Sequence, residues 1–230
     1  NELYLLVSPL NVALGDSLII TPKMLWNRKG EIKIDPQMIV GNTPTNNIKV
    51  YVNGNNKIIF SNAIHTSLEK NISVTSGSSR SVQYVENTIK TAKLKFETER
   101  LKFEKSSEVY NAMQTVLAWT TIYDPNNNRI INPVSRTFSP DWVLFGWDTY
   151  FAAYMLSLNN KQLAYANAIA ITKEITAKGF IPNNSQYGHK SEDRSEPQVG
   201  SIVVREIYRK YEEKWFLKEV YNELLSWNRW

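Results

Sequence analysis

Apolar residues in the first third of the chain come in short runs of β-formers between turn residues: "LYLLV", "SLIIT", "IKVYV" and "KIIF". "IKVYV" alternates, the period of a strand with one wet and one dry face. The segment "IKVYVNGNNKIIF" sets Asn53-Gly54 between two such runs, a strong short-range hairpin signal that predicts pairing of the flanking strands. Five or six strands are in view and the chain starts on one, so residues 1–80 are expected to form the C-terminal part of an antiparallel β-sandwich.

After "SGSSRS" the pattern turns helical. From Tyr84 to Tyr123 there is no Pro or Gly; the first half of that stretch is charged and the second apolar. This predicts a solvated linker helix within 81–107 that leads into a buried helix, with a break near Ser106-Ser107. "YDPNNNRIINPVSRTFSPD" reads as a polar loop, long for a compact domain, and loops of that length usually carry function or disorder. A helix is predicted from about Val143 to Leu158, capped by Ser139 or Asp141. "KQLAYANAIAITKEITAKG" predicts an amphipathic helix with Gly179 as its left-handed cap. A second long loop, "FIPNNSQYGHKSEDRSEP", runs to Pro197 at a helix start. Two further helices, "QVGSIVVREIYRKYEE" and "WFLKEVYNELLSWNRW", follow. Strands first and helices afterwards predict two domains, the second all-α. The apolar ending "NELLSWNRW" has no capping signal, so the polypeptide is expected to continue past Trp230 and to precede Asn1.

Composition changes this picture little. Over 230 residues, 42% hydrophobic and 21% charged content is ordinary for a soluble globular protein. No apolar run is long enough to predict a membrane span, and the N-terminus lacks the pattern of a secretory signal. Without cysteine there is no disulfide framework and no thiolate metal site, which suits a reducing compartment and an exported bacterial protein alike. The net charge of +5 arises partly in "TIKTAKLKFETERLKFEKSSE", where basic and acidic residues interleave. That is the pattern of a solvated helix face; a nucleic-acid partner would need a one-sided basic stripe, so none is expected. His65 and His189 are too few and too far apart for a metal signature. No phosphate cradle or nucleophile elbow supports phosphoryl transfer or serine-type acyl transfer.

One carboxylate stands out. In "SPDWVLFGWDTYFAAYML", Asp148 lies inside an apolar and aromatic run, where a buried acid needs a structural mate or a bound polar ligand. Six of the seven tryptophans lie from Trp119 onward, with several tyrosines among them. Aromatic faces suit the C–H face of a sugar ring. A carboxylate beside such a ring can accept from neighbouring hydroxyls, each charge-assisted bond contributing roughly 1.5–3 kcal/mol. Core packing accounts for most of the tryptophans but not for Asp148. Arg136, in "NPVSRTFS", is a candidate mate for Asp148 or a second sugar contact, with a structural salt bridge as an equal alternative. "HKSEDRSEPQVGS" gathers His189, Glu192, Asp193, Arg194 and Glu196 in one loop, where charges are usually solvated.

Taken in order, "NPVSRTFS", "WVLFGWDTYFAAYM", "LAYANAIAIT", "GFIPN", "KSEDRSEPQVGS" and "YNELLSWNRW" resemble bacterial members of glycoside hydrolase family 63, relatives of processing α-glucosidase I and of the glucosylglycerate and mannosylglycerate hydrolases. The resemblance covers about Glu108 to Trp230 and extends more loosely through "YLLVSP" and "MLWNR". It implies an α+β multidomain fold: the C-terminal part of a β-sandwich (1–80), a linker helix (81–107) and the first helices of an (α/α)6 barrel (108–230). It also implies inverting hydrolysis of α-glucosidic or α-mannosidic bonds in oligosaccharides or small glycosides. Carried over, Trp147 shapes the subsite of the non-reducing sugar and Asp148 binds its hydroxyls, with Arg136, Phe145 and Tyr150 as neighbours. The "DRS" loop would bring Asp193 and Arg194 to the same cavity. This chain departs from the family in reading Glu196, Pro197 and Gln198 where Gln and Pro-Pro are common, so Glu196 would alter the pocket's charge.

Inversion needs two carboxylates roughly 6.5–9.5 Å apart. Composition alone would offer Asp148 with Asp193 or Glu196. The family instead places its acid in a Glu-x-Gly-x-Asp motif and its base near its C-terminal end, and neither motif occurs here. The catalytic pair is therefore expected beyond Trp230, and the chain alone is expected to be inactive. No cofactor is expected, with calcium left open. The expected partners are a carbohydrate substrate and the remainder of the chain's own polypeptide. The alternative is a non-catalytic carbohydrate-binding or scaffold module.

Overall fold

The computed structural model describes residues 2–10, 16–24, 29–44, 46–124, 127–136, 142–186 and 189–230. The chain divides into two compact units, Asn1–Thr98 and Glu99–Trp230. Trp26, the expected caps Ser139 and Asp141, and Tyr187 lie outside the described residues.

In the first unit the strands are β1 (Tyr4–Val7), β2 (Ser17–Ile20), β3 (Glu31–Ile34), β4 (Met38–Asn42), β5 (Asn47–Asn53), β6 (Asn55–Phe60), β7 (Ala63–Ser67) and β8 (Ile72–Ser76). They form a five-stranded antiparallel sheet in the order β1-β8-β5-β4-β3 and a three-stranded one in the order β2-β7-β6. Both sheets feed one core: Ile39, Val52 and Ile72 from the larger, Ile64 from the smaller, with Leu18 and Ile20 packed against them. The Asn-Gly hairpin does not form. β5 pairs with β4 and β8, while β6 pairs with β7, so the chain changes sheets at Gly54. A Cβ on Gly54 would sit 2.4 Å from Thr66 Oγ1, and this close approach explains the glycine where turn chemistry does not.

The long helix α1 (Val82–Leu101) follows; a short 3-10 turn, Glu104–Ser106, separates it from α2 (Ser107–Thr120), placing the helical break where the charge pattern changes. In the second unit short strands lie in the expected polar loops and, at Leu144–Phe145, at the start of the helix expected from Val143, which begins at Gly146 instead. β9 (Ile122–Asp124) pairs with β10 (Arg129–Ile131), and β11 (Leu144–Phe145) pairs with β12 (Asn184–Gln186), which pairs in turn with β13 (His189–Lys190). Four helices accompany them: α3 (Gly146–Leu156), α4 (Lys161–Thr172), α5 (Gly200–Tyr211) and α6 (Lys214–Arg229).

The expected architecture is thereby overturned. The chain is a mixed α/β structure with several small antiparallel sheets and six α-helices among the described residues, and no helical barrel is seen among them. The helices do not alternate around a ring: α3 packs on α2, α4 and α5, and short strands interrupt their succession. Two local expectations also change. The helix that Gly179 was expected to cap ends at Thr172, and Gly179, at φ +87°, serves a later turn in which its N–H reaches Thr176 O at 3.0 Å. Pro197 precedes α5 by three residues instead of opening it.

Helix α3 is the centre of this unit. Its inner face is filled by Tyr150, Ala152, Ala153 and Leu156. Tyr150 is fully buried, stacked on Trp227 at 6.0 Å between ring centroids. A Cβ on Gly200 would lie 2.7 Å from Tyr150 Cζ and 2.8 Å from Leu224 Cδ2, so α5 can start directly against that ring only as glycine.

Candidate functional site

The first turn of α3 has no local cap. Phe145 stands at the N-cap position without a side-chain hydrogen bond, leaving the first N–H groups of the helix in need of acceptors. Glu196, far along the chain, supplies one: its Oε2 accepts from Trp147 N at 2.8 Å. Its other oxygen, Oε1, accepts from Asn183 Nδ2 at 2.8 Å. Asn183 is tied to the same place through its backbone, which accepts from Gly146 N at 3.0 Å and donates to Arg194 O at 3.1 Å. Gly146 makes the approach possible, because a Cβ there would meet Glu196 Oε2 at 3.0 Å and Pro182 O at 3.2 Å. An anion at a helix N-terminus is electrostatically favoured. Glu196 is still raised above the ordinary carboxylate range: burial is the main cause, and Asp148 adds to it. The N–H groups of Trp147 and Gly146 and the Asn183 amide pull the other way.

Asp148 follows Trp147 in this first turn. It is half-buried, and among the described residues it makes no hydrogen bond and no ion pair. The premise of a deeply buried acid is thus corrected: the carboxylate reaches solvent, and the helix N-terminus favours its charge. Beside it runs an aromatic ridge. Trp147, Phe151 and Tyr154, spaced i, i+4 and i+7, are 42%, 44% and 44% exposed, and the first two rings lie 6.3 Å apart. Such a stripe usually faces a core; this one faces water.

The remaining candidates fall in different places. Phe145 is half-buried, with its carbonyl accepting from Thr149 Oγ1 at 2.7 Å. Tyr150, expected to neighbour the sugar, is sealed in the core with its hydroxyl 2.7 Å from Thr172 Oγ1, and burial raises its pKa. It supports the helix and cannot touch a ligand. Arg136 does not pair with Asp148 among the described residues; its guanidinium lies 5.3 Å from the ring centroid of Trp119. Asp193 and Arg194 are exposed and paired with each other at 2.7 Å, and Arg194 Nε also reaches Asn183 Oδ1 at 3.3 Å. Ser195 is an anchor, donating to Ile181 O at 2.6 Å and accepting from Trp227 Nε1 at 2.9 Å. Trp147, Asp148 and Glu196 are therefore brought together, with Arg194 one residue removed through Asn183. Tyr150 and Arg136 are committed elsewhere.

Sequence reading counted Tyr154 only among the aromatic residues suited to a sugar and missed Phe151, Asn183 and Gly146. The helical spacing of the three aromatic residues was readable in "WDTYFAAY", but not their exposure. Among the described residues no group of three His, Asp or Glu side chains is arranged to hold a metal ion, and no helix is long and apolar enough to cross a membrane. A separate cavity of about 320 Å³ opens between α5 and α6, lined by Val204, Tyr208, Leu217, Val220 and Tyr221, apart from every residue predicted from sequence. It is apolar, with few groups to orient a polar ligand. No family model matches the chain, and no curated protein matches it.

Proposed function

We propose that this chain supplies part of the sugar-binding pocket of an inverting α-glycosidase, with Asp148 accepting hydroxyl hydrogen bonds and the Trp147–Phe151 face stacking on the pyranose ring. The observation that carries this reading is a half-buried carboxylate, without a hydrogen-bond or ion-pair partner among the described residues, next to an exposed aromatic ridge. Sugars need both chemistries within one ring's width: a flat apolar surface for the C–H face and an acceptor at its edge. The motif resemblance supports the same substrate class, and nothing among the known proteins compared adds to it.

Neither Glu196 nor Asp148 is proposed as the proton donor. Both oxygens of Glu196 already accept from N–H groups, so a proton there would weaken the clamp that they make. That commitment also favours a second reading, a carbohydrate-binding module without hydrolytic activity; release of inverted glucose from maltose by the protein would exclude it. The binding reading is tested by titrating the chain with glucose and maltose. Weak binding is expected, weakened roughly tenfold or more in Asp148→Ala for each charged bond lost. Equal affinity in a folded Asp148→Ala protein would overturn it.

A further inference from the structure

The geometry points to Glu196 as the positioning residue of this site: its carboxylate latches the first turn of α3 to the 182–196 segment, and the latch loosens when it takes up a proton, making sugar capture at Trp147 and Asp148 dependent on pH. This inference rests on the carbohydrate reading for its ligand and on independent geometry for its mechanism.

A carboxylate offers only acceptors, and Glu196 spends one oxygen on each side of the junction, Trp147 N–H on the helix and the Asn183 amide on the segment. Protonation turns one oxygen into a hydroxyl, which accepts more weakly than a carboxylate oxygen and has a proton of its own to place. Both contacts then lose their charge assistance, and the one to the hydroxyl oxygen loosens most unless its partner rotates to accept the new proton. Asn183 is poorly placed to rotate, because its own Oδ1 accepts from Arg194 Nε at 3.3 Å. Trp147 is the residue whose backbone is held and whose ring is exposed, so loosening acts directly on the stacking face.

The charged groups around Glu196 are few among the described residues. From α3 comes Asp148, a like charge that opposes ionisation of Glu196. From its own segment come Asp193 and Arg194, which neutralise each other at 2.7 Å. Asn183 and the helix N–H groups are uncharged donors. Burial and Asp148 together place the proton uptake above the ordinary carboxylate range, so the latch opens at a higher pH than an ordinary carboxylate would set.

The test follows the Trp147 backbone amide by ¹H–¹⁵N spectroscopy of the full chain between about pH 4 and 8, in the wild type, Glu196→Gln and Asp148→Asn. The amide is expected to shift with a single inflection in the wild type, to lose it in Glu196→Gln, and to show it at lower pH in Asp148→Asn. Glucose affinity measured in parallel should fall about fivefold below the inflection, the equivalent of one lost helix cap, and stay level in Glu196→Gln. A Trp147 amide that does not titrate, or that titrates alike in Glu196→Gln, overturns the latch. Equal glucose affinity on both sides of an observed inflection overturns its control of the site. A titrating amide with no glucose binding at any pH leaves the latch standing and removes the carbohydrate reading instead.

Discussion

Asp124 and Glu174 are met by the cations Arg129 and Lys190, whereas Asp148 and Glu196, in the same unit of the chain, meet no cation among the described residues. Asp124 is fully buried; its Oδ2 lies 3.0 Å from Arg129 Nε and accepts from Asn127 Nδ2 at 2.7 Å. Arg129 bridges onward to Glu174 at 2.7 Å, and Glu174 also takes the Ser185 hydroxyl at 2.7 Å and Lys190 at 3.6 Å. Every charge there is spent on joining β9, β10, β12 and β13 to the end of α4. At the start of α3, one carboxylate is spent on amide donors and the other on nothing in the described chain. The first arrangement is closed to ligands by its own ion pairs. The second has acceptor capacity left over, and it faces water beside three aromatic rings.

The sharpest way to break this contrast is Arg129→Met. Removing the cation leaves the buried Asp124 without this partner and the half-buried Glu174 with Lys190 alone, a loss of about 3–5 kcal/mol expected by urea unfolding. A loss below about 1 kcal/mol would show that the closed cluster is not structural. Gly146→Ala should cost less, about 1–3 kcal/mol, because the new methyl group meets Glu196 Oε2 and Pro182 O and must push the clamp apart. An unchanged stability would mean that the clamp gives way freely. Smallest of all, Asp148→Asn is expected to lower stability by less than about 1 kcal/mol, the value of one charge at an exposed helix N-terminus. A loss near that of Arg129→Met would make Asp148 a second structural acid and erase the contrast.

What could be read in advance followed the range of the interactions. Helix α3 was legible because it is a local Pro-free apolar run between polar stretches, and so was the division of the last stretch into α5 and α6 at Glu212, the left-handed residue between them. The Asn53-Gly54 hairpin was misread because both edges of β5 are taken, one by the preceding β4 and the other by the more distant β8, and the glycine answers to Thr66. The expectation of an all-α second domain failed because its strands are only two or three residues long, too short for periodicity to mark them, and the barrel that the resemblance implied failed with it. Asp148 and Trp147 were legible as an anomaly of residue type. Glu196 was noticed for its identity, but its partner sits 49 positions away, and no local pattern could have joined them.

The far end of α3 is held in the same remote way as its start. Lys210 donates to the carbonyls of Ser157 and Leu158, both at 2.7 Å, and Tyr211 donates to Ser157 at 2.5 Å, across sequence separations of 52 to 54. A helix of eleven residues with no side-chain N-cap of its own is marginal in water. Its full set of terminal contacts therefore exists only once residues up to Tyr211 are in place, so α3 is expected to form together with the tertiary structure and not ahead of it. A nascent polypeptide emerging only as far as Leu156 would carry the aromatic ridge in its sequence without yet having it in space.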